Sequence, residues 1–438
     1  MGAGGGRTIR FRTGTYAVGG DYVLASVAYA AQVTITGEAG VTLTGNVILS
    51  NPSKVTVTGV EISCTDTAKF AVLRLDGACT GCVVDNNFLH GITRDPLGDY
   101  SVGGSYQNPE KGIGIANSGG YLNGCTITRN RIEHVQEGIV IHMSGAADYN
   151  ITDNEIGYTY SDAMKWVIEG TAALTANKRF LRNRWHMMVG RQTDNGGNGP
   201  HSDLCQHVRS AVSDGAIIDG FEFSMNTAVL TSASRGYNIQ GIVSFADGGN
   251  RPTFRNAKVC GNLIVSDSAH AINLLVIGGV FAHNTILRTV AATGGDPLGK
   301  FTGTARITLV IPAGAAKPLI LRNMYDAVPL VSGDTATETD NLVLGSNGAT
   351  IAYATAMDGP TFEPTTFAGE KTAFDLKAAG PADTGFQRGA MGTGIGTRGT
   401  MRDPSGWTYN AAYEQVTPST LTTISISEPQ LPVYDCNP

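Results

Sequence analysis

Seven asparagines each stand two residues before an apolar or small residue, at the end of a short β-rich run: Asn86 (DNNF), Asn130 (RNRI), Asn154 (DNEI), Asn183 (RNRW), Asn226 (MNTA), Asn262 (GNLI) and Asn284 (HNTI). The intervals are 44, 24, 29, 43, 36 and 22 residues, and Asn323 and Asn341 extend the series. A coil of roughly 20 to 30 residues with insertions of varying size accounts for them, which is the spacing of a solenoid. Asparagine enters the left-handed backbone region more readily than other non-glycine residues, and its amide can bond the same amide one coil above or below. The series therefore predicts a column of asparagines marking one repeated bend.

A 438-residue chain has room for two or three average domains, but stacked repeats extend one elongated body without a break. The 57 glycines and 16% charged residues fit many tight corners and few solvated helices, and Val, Ile and Thr cluster in short runs such as VTITG, VTLTG and VTVTG. A formal charge of −6 argues against nucleic acid as a partner, which would require clustered Lys and Arg, and against an anionic membrane surface. No apolar run is long enough for membrane insertion, and MGAGGGRTIRF lacks the apolar segment of an export signal. Cys64, Cys82, Cys125 and Cys260 lie in or beside strands and are expected as buried free thiols filling core slots. One CxxC, Cys79 and Cys82, has no second pair to complete a zinc site. That usage suits synthesis in a reducing cytoplasm.

The two ends of the repeat region carry further signals. GRTIRFRTGTY (6–16) reads as an alternating strand closing at a Gly-Thr corner, and FDLKAAGPADTGFQRGAM (374–391) follows a pattern of Phe-x-Leu, Pro-Ala-x-Asp-x-Gly and Gly-Ala. Together with the asparagines they resemble the opening and closing coils of the pectin-lyase-like superfamily. That resemblance implies an all-β chain, a single-stranded right-handed parallel β-helix over residues 1–392, with residues 393–438 as an irregular tail for packing or oligomer contact. The superfamily includes lyases, hydrolases, epimerases and non-catalytic binders, so it specifies fold more than activity.

Counting from the asparagines locates candidate chemistry. Eight residues after Asn130 comes GIVIHM (138–143), eight after Asn154 comes DAMKWV (162–167), and after a long excursion comes SDLCQH (202–207). Three columns are expected, with successive coils about 4.8 Å apart: Gly138, Asp162 and Asp203; Ile141, Lys165 and Gln206; His142, Trp166 and His207. Two stacked aspartates repel, so one pKa rises, a cation such as Ca2+ binds between them, or Lys165 compensates; the bland alternative is a pair of corner residues bonding local amides. Beyond that Ca2+, no metal or cofactor is expected. Trp166, His142, His207 and Gln206 are expected to line a sugar-binding groove, with Trp166 stacking on a ring or else packing laterally. The excursion adds His201 as an acid or base, and Arg184 and Arg191 within a window (178–209) of net charge +4 that suits an acidic sugar. His90, His134 and Tyr158 form a second outward strip that contacts sugar or packs across coils.

Relatives of the pectate-lyase and chondroitinase kind imply Lys165 as base, with Arg184 or Arg191 neutralising a uronate. Hydrolysis instead requires Asp162 and Asp203 as two carboxylates, one kept protonated. The chain also resembles phage tailspikes. The expected function is a phage or phage-like virion spike, a homotrimer capped at its N-terminal end by other virion proteins. It recognises and depolymerises a bacterial surface polysaccharide by lyase or hydrolase chemistry. The alternatives are a non-catalytic binding spike and a secreted bacterial lyase, and the expected location is the virion, made in a host cytoplasm, or else extracellular.

Overall fold

In the computed structural model the described residues run, with breaks, from 6 to 343, together with 357–358, 375–376, 407–410 and 415–418; the main breaks are 92–111, 144–147, 169–173, 187–202, 210–215, 230–239, 246–250 and 289–304. Every element among them is a strand. Thirty-six strands form one hydrogen-bonded network in which, through the middle of the body, each strand pairs in parallel with the third strand onward, giving three strands per coil. Cys125–Thr128, Arg131–Val135 and Glu137–Met143 form one such coil, and Tyr149–Thr152, Glu155–Thr159 and Met164–Ile168 form the next. The architecture is the right-handed parallel β-helix, the hand that parallel crossover connections adopt. Its core is one column of inward residues per face, for example Leu89, Ile132, Ile156 and Trp185, all almost fully buried.

The asparagine column is present, with two corrections. Its first rung is Asn87 rather than Asn86, and the rung residues do not hold the left-handed backbone. Asn87 Nδ2 donates to Asn130 Oδ1 at 2.9 Å, and the same bond repeats from Asn130 to Asn154, Asn183, Asn226, Asn262, Asn284, Asn323 and Asn341 at 2.8 to 3.1 Å. Each second amide proton goes to a backbone carbonyl of the preceding coil, as Asn154 Nδ2 donates to Ile127 O at 2.9 Å. Each Oδ1 also accepts the preceding rung's backbone N–H, as Asn154 Oδ1 does from Asn130 at 3.0 Å. Both amide protons and the carbonyl oxygen are thus engaged inside a buried corner, where an unmet polar group costs about 1–3 kcal/mol.

The left-handed residue is the one just before the rung: Gly59 before Val60, then Asn86, Arg129, Asp153, Arg182 and Gly261, with φ between 53° and 67°. A non-glycine residue there costs on the order of 1 kcal/mol. Two of the three charged occupants recover part of it by bidentate pairing with the preceding coil: Arg129 grips Asp85, and Arg182 grips Asp153 at 2.7 and 2.8 Å. The four described thiols expected in the core, Cys64, Cys82, Cys125 and Cys260, are free and buried, as are Cys79 and Cys205.

Parallel pairing extends to Leu342–Val343. Beyond it the described segments are two antiparallel pairs, Met357–Asp358 with Asp375–Leu376 and Trp407–Asn410 with Gln415–Pro418. The rest of the expected closing coil and tail lies outside the described residues. Replacing one interior rung should disconnect the ladder. Asn154→Ala is expected to cost about 3 kcal/mol or more in chemical denaturation, whereas Asn123→Ala, at an exposed corner position, should stay within about 0.5 kcal/mol.

Candidate functional site

The predicted columns are real but their register in the first coil is off by one. Val135 pairs with Thr159, and one residue separates Val135 from Glu137 whereas two separate Thr159 from Asp162 in the following coil. That shorter corner means counting eight residues from each asparagine overshoots in the Asn130 coil. Lys165 therefore stands on Val140 rather than Ile141, and Trp166 on Ile141 rather than His142, while the next step, Lys165 on Gln206 and Trp166 on His207, is in register as expected. The Gly138 N–H bonds Asp162 O at 3.1 Å and the Ala163 N–H bonds Asp203 O at 2.9 Å, which sets Glu137, Asp162 and Asp203 in one column, continued by Gln240.

Because a shift of one residue reverses the facing of a strand, Trp166 and His207 are core residues and not a sugar platform. Both are fully buried. Trp166 meets Phe180 at 4.2 Å and Phe221 at 5.2 Å between ring centroids, and His207 meets Trp166 at 4.6 Å and Phe254 at 4.7 Å. Burial holds the His207 imidazole down to about 3, with its Nδ1 placed 3.2 Å from Val243 O. His142 is half-buried and in register with Val167.

Lys165 points outward and gathers the acids. Its Nζ lies 3.0 Å from Glu137 Oε1 and 3.6 Å from Asp162 Oδ2. Asp162 turns its other oxygen to the Asp203 N–H at 3.0 Å. Side-chain exposure falls from 27% at Lys165 to 13% at Glu137 and 3% at Asp162, so the ammonium and Glu137 form the accessible rim and the aspartates the floor. Asp203 is fully buried below them. Burial, then the charges of Asp203 and Glu137, push the Asp162 carboxyl well above the usual carboxylate range, against the opposing pull of Lys165 and the Asp203 amide. Burial opposes the Lys165 charge, but Glu137 and Asp162 outweigh it and raise its pKa. The corner offers two neighbouring carboxyl groups, one with a raised pKa and one ion-paired, beside an amine whose pKa they raise. A lysine held in that state is a poor base for abstracting a proton.

Close stacking at this corner depends on Gly138, where a Cβ would stand 2.4 Å from Ala163 O and 2.6 Å from Ile156 Cγ2. Glu137 is the residue the sequence reading missed; the signal was an acid at the head of the strand after a corner one residue shorter than the next. Gln240 was missed as well, and its buried Oε1 has no hydrogen-bond partner among the described residues.

Three of the six cations in the positive window, Lys178, Arg179 and Arg182, are taken up within the fold. Arg182 is paired with Asp153 and Arg179 with Glu222 at 3.3 Å. Lys178 is buried, and burial lowers its pKa to about 8 while Asp148 and Asp219 pull it upward. Arg184 occupies a strand position in register with Glu155 and Thr227. Arg191 and His201 lie outside the described residues. The expected strip of His90, His134 and Tyr158 does not align: His90 stands on Glu133, and His134 has a left-handed backbone. His90 bonds Glu61 at 3.0 Å instead, and Arg131 pairs with Glu133 beneath the surface with its guanidinium 5.0 Å from the Phe88 ring. Among the described residues no three His, Cys, Asp or Glu side chains converge in an arrangement that would hold a metal ion.

No protein-family model matches the chain, and no curated protein matches it. Solved structures do. A PL6 alginate lyase in complex with a trisaccharide is similar at 13% identity with a TM-score of 0.38, covering 84% of this chain and 86% of that one. Alginate lyase AlyF-OU02 is similar at 13% identity and TM-score 0.38, over 84% of this chain and 89% of that one. The Dettilon tailspike protein is similar at 12% identity and TM-score 0.33, over 78% of this chain and 58% of that one. The description of the fold rests on this chain's own strand register.

Two measurements check the electrostatics. His207 has a folded pKa depressed to about 3 from 6.5, so its contribution is intact above pH 6.5 and is lost as pH falls toward 3. His207→Phe should flatten the stability profile across that window by on the order of 3 kcal/mol. The Asp162 pKa is raised, so its contribution is full below the unfolded value and lost as pH rises through the folded one. Asp162→Asn mimics the neutral acid and should leave stability at pH 7 within about 1 kcal/mol of the parent; a loss of several would mean an ionised aspartate.

Proposed function

We propose that the protein engages a bacterial surface polysaccharide along the side of its β-helix and cleaves it by hydrolysis at the Glu137, Asp162 and Lys165 corner. The observation that carries this reading is the geometry of the corner, where a nearly fully buried Asp162 carboxyl lies 3.6 Å from the Lys165 Nζ that Glu137 Oε1 meets at 3.0 Å, in surroundings that raise the Asp162 pKa. Asp162 supplies the proton to the departing glycosidic oxygen, and Glu137 is the carboxylate that activates water or attacks the sugar. Asp203 positions Asp162 through its backbone N–H and raises its pKa through its charge. Lys165 is assigned to orienting both acids and to contacting substrate, because an amine raised in pKa suits neither elimination nor a base role. Gln206, in register beneath Lys165 and half-buried, extends the polar surface by one coil.

A binding-only spike is the second reading, and the near-complete burial of Asp162 and Asp203 favours it. In either case we assign the chain to a virion, as a homotrimeric spike met at its first coil by another virion protein, with a secreted enzyme as the alternative. Support for a capping partner is that Ile9 and Phe11 pack on the core yet stay partly exposed at that end.

Incubation with capsular and lipopolysaccharide preparations separates the readings, following chain length by size exclusion, new reducing ends, and the ultraviolet absorbance of unsaturated uronates. Hydrolysis predicts shorter chains and reducing ends without absorbance, and a fall of about two orders of magnitude or more in Glu137→Gln and Asp162→Asn. Absorbance gained with chain shortening would mean elimination and overturn the assigned roles. Binding without shortening would leave a spike alone.

A further inference from the structure

The charge balance at the corner says what kind of sugar it accepts, an inference that rests on the carbohydrate reading above. We infer that the residue seated there is uncharged, a neutral hexose or N-acetylhexosamine, and that uronates are refused.

A uronate needs a cation that is free to meet its carboxylate. On the outward column running through the site, from Arg74 through Ala116 and Val140 to Lys165, Gln206, Val243 and Asn273, two residues are cationic. Arg74 is held by Asp76 at 2.7 Å. Lys165 is held by Glu137 at 3.0 Å and Asp162 at 3.6 Å. A second carboxylate brought to Lys165 would stand beside Glu137, and like charges juxtaposed at an interface are strongly disfavoured.

A basic sugar fares no better. The accessible acid, Glu137, already has its counter-ion, and Asp162 and Asp203 are buried beyond the reach of a ligand. What faces outward is a mosaic of the remaining Lys165 N–H donors, the Gln206 amide and the half-buried Val167, which packs on the buried Val140 and Ala116. Sugar hydroxyls and the apolar faces of neutral rings match that mosaic.

The test compares affinity, by calorimetry at low and moderate salt, for neutral hexose and N-acetylhexosamine oligosaccharides and for oligouronates. The parent protein is expected to prefer a neutral oligosaccharide by at least ten-fold. Glu137→Gln frees the Lys165 charge and should raise oligouronate affinity at least ten-fold even though it removes activity. Gln206→Arg adds an unpaired cation one coil away without touching the acids and should shift preference the same way, so the inference stays testable if the first variant does not fold. A parent protein that cleaves glycans but prefers oligouronates, or variants that leave the preference unchanged, would overturn this inference and leave the carbohydrate reading standing. Failure to bind or cut any glycan would overturn both.

Discussion

The asparagine ladder is the constraint on which the rest of the structure depends. A coil that turns a tight corner exposes backbone N–H and C=O groups that its own strands cannot meet, and in a buried corner water cannot meet them either. A side chain with one acceptor and two donors solves the problem once per coil, and stacking identical amides repeats the solution along the axis. Each Oδ1 takes two protons and each Nδ2 gives two, so the corner stays saturated from Asn130 to Asn323. Fixing one corner per coil fixes the phase of all three strands, and it is this phase that brings Asp162 onto Asp203.

Within that frame, coils differ where corners differ. Between the second and third strands of a coil, the stretch from Val135 to Glu137 is one residue shorter than its counterpart from Thr159 to Asp162. That difference places Glu137 at the head of the column and sets Lys165 over Val140, so that Glu137 and Asp162 meet Lys165 at the rim, Asp203 lies buried below them, and Trp166 and His207 fill the core behind. The aromatic packing and the charged corner are thus two faces of the same strands. Trp166 is inside because Lys165 is outside.

The sequence made the solenoid legible because its period is carried by one residue type with a defined hydrogen-bonding role. It did not reveal which of Asn86 and Asn87 is the rung, since both lie beside the bend and only the backbone shows that Asn86 takes the left-handed turn at φ 53°. The stack of Asp162 on Asp203 and of Lys165 on Gln206 was readable from spacing, since those coils differ only by an excursion ahead of Asp203. The partners in the preceding coil were not. Hydrophobic pattern does not report a one-residue change in corner length, and that single residue moved Glu137 into the site and Trp166 and His207 out of the surface. The positive window misled for a different reason: composition counts charges, whereas Arg179 and Arg182 are matched to acids that lie far away in sequence.

The central claim is that this corner holds a neutral carboxyl at Asp162 under a lysine already bound to Glu137. Carbon-13 NMR of labelled aspartate side chains, assigned by comparison with Asp162→Asn, reads that protonation state directly. The account predicts an Asp162 carboxyl that titrates well above the ordinary aspartate value, keeping its carboxylic-acid shift at pH values where the other aspartates are carboxylates. A carboxylate signal throughout the neutral range, titrating near the ordinary aspartate value, would contradict it.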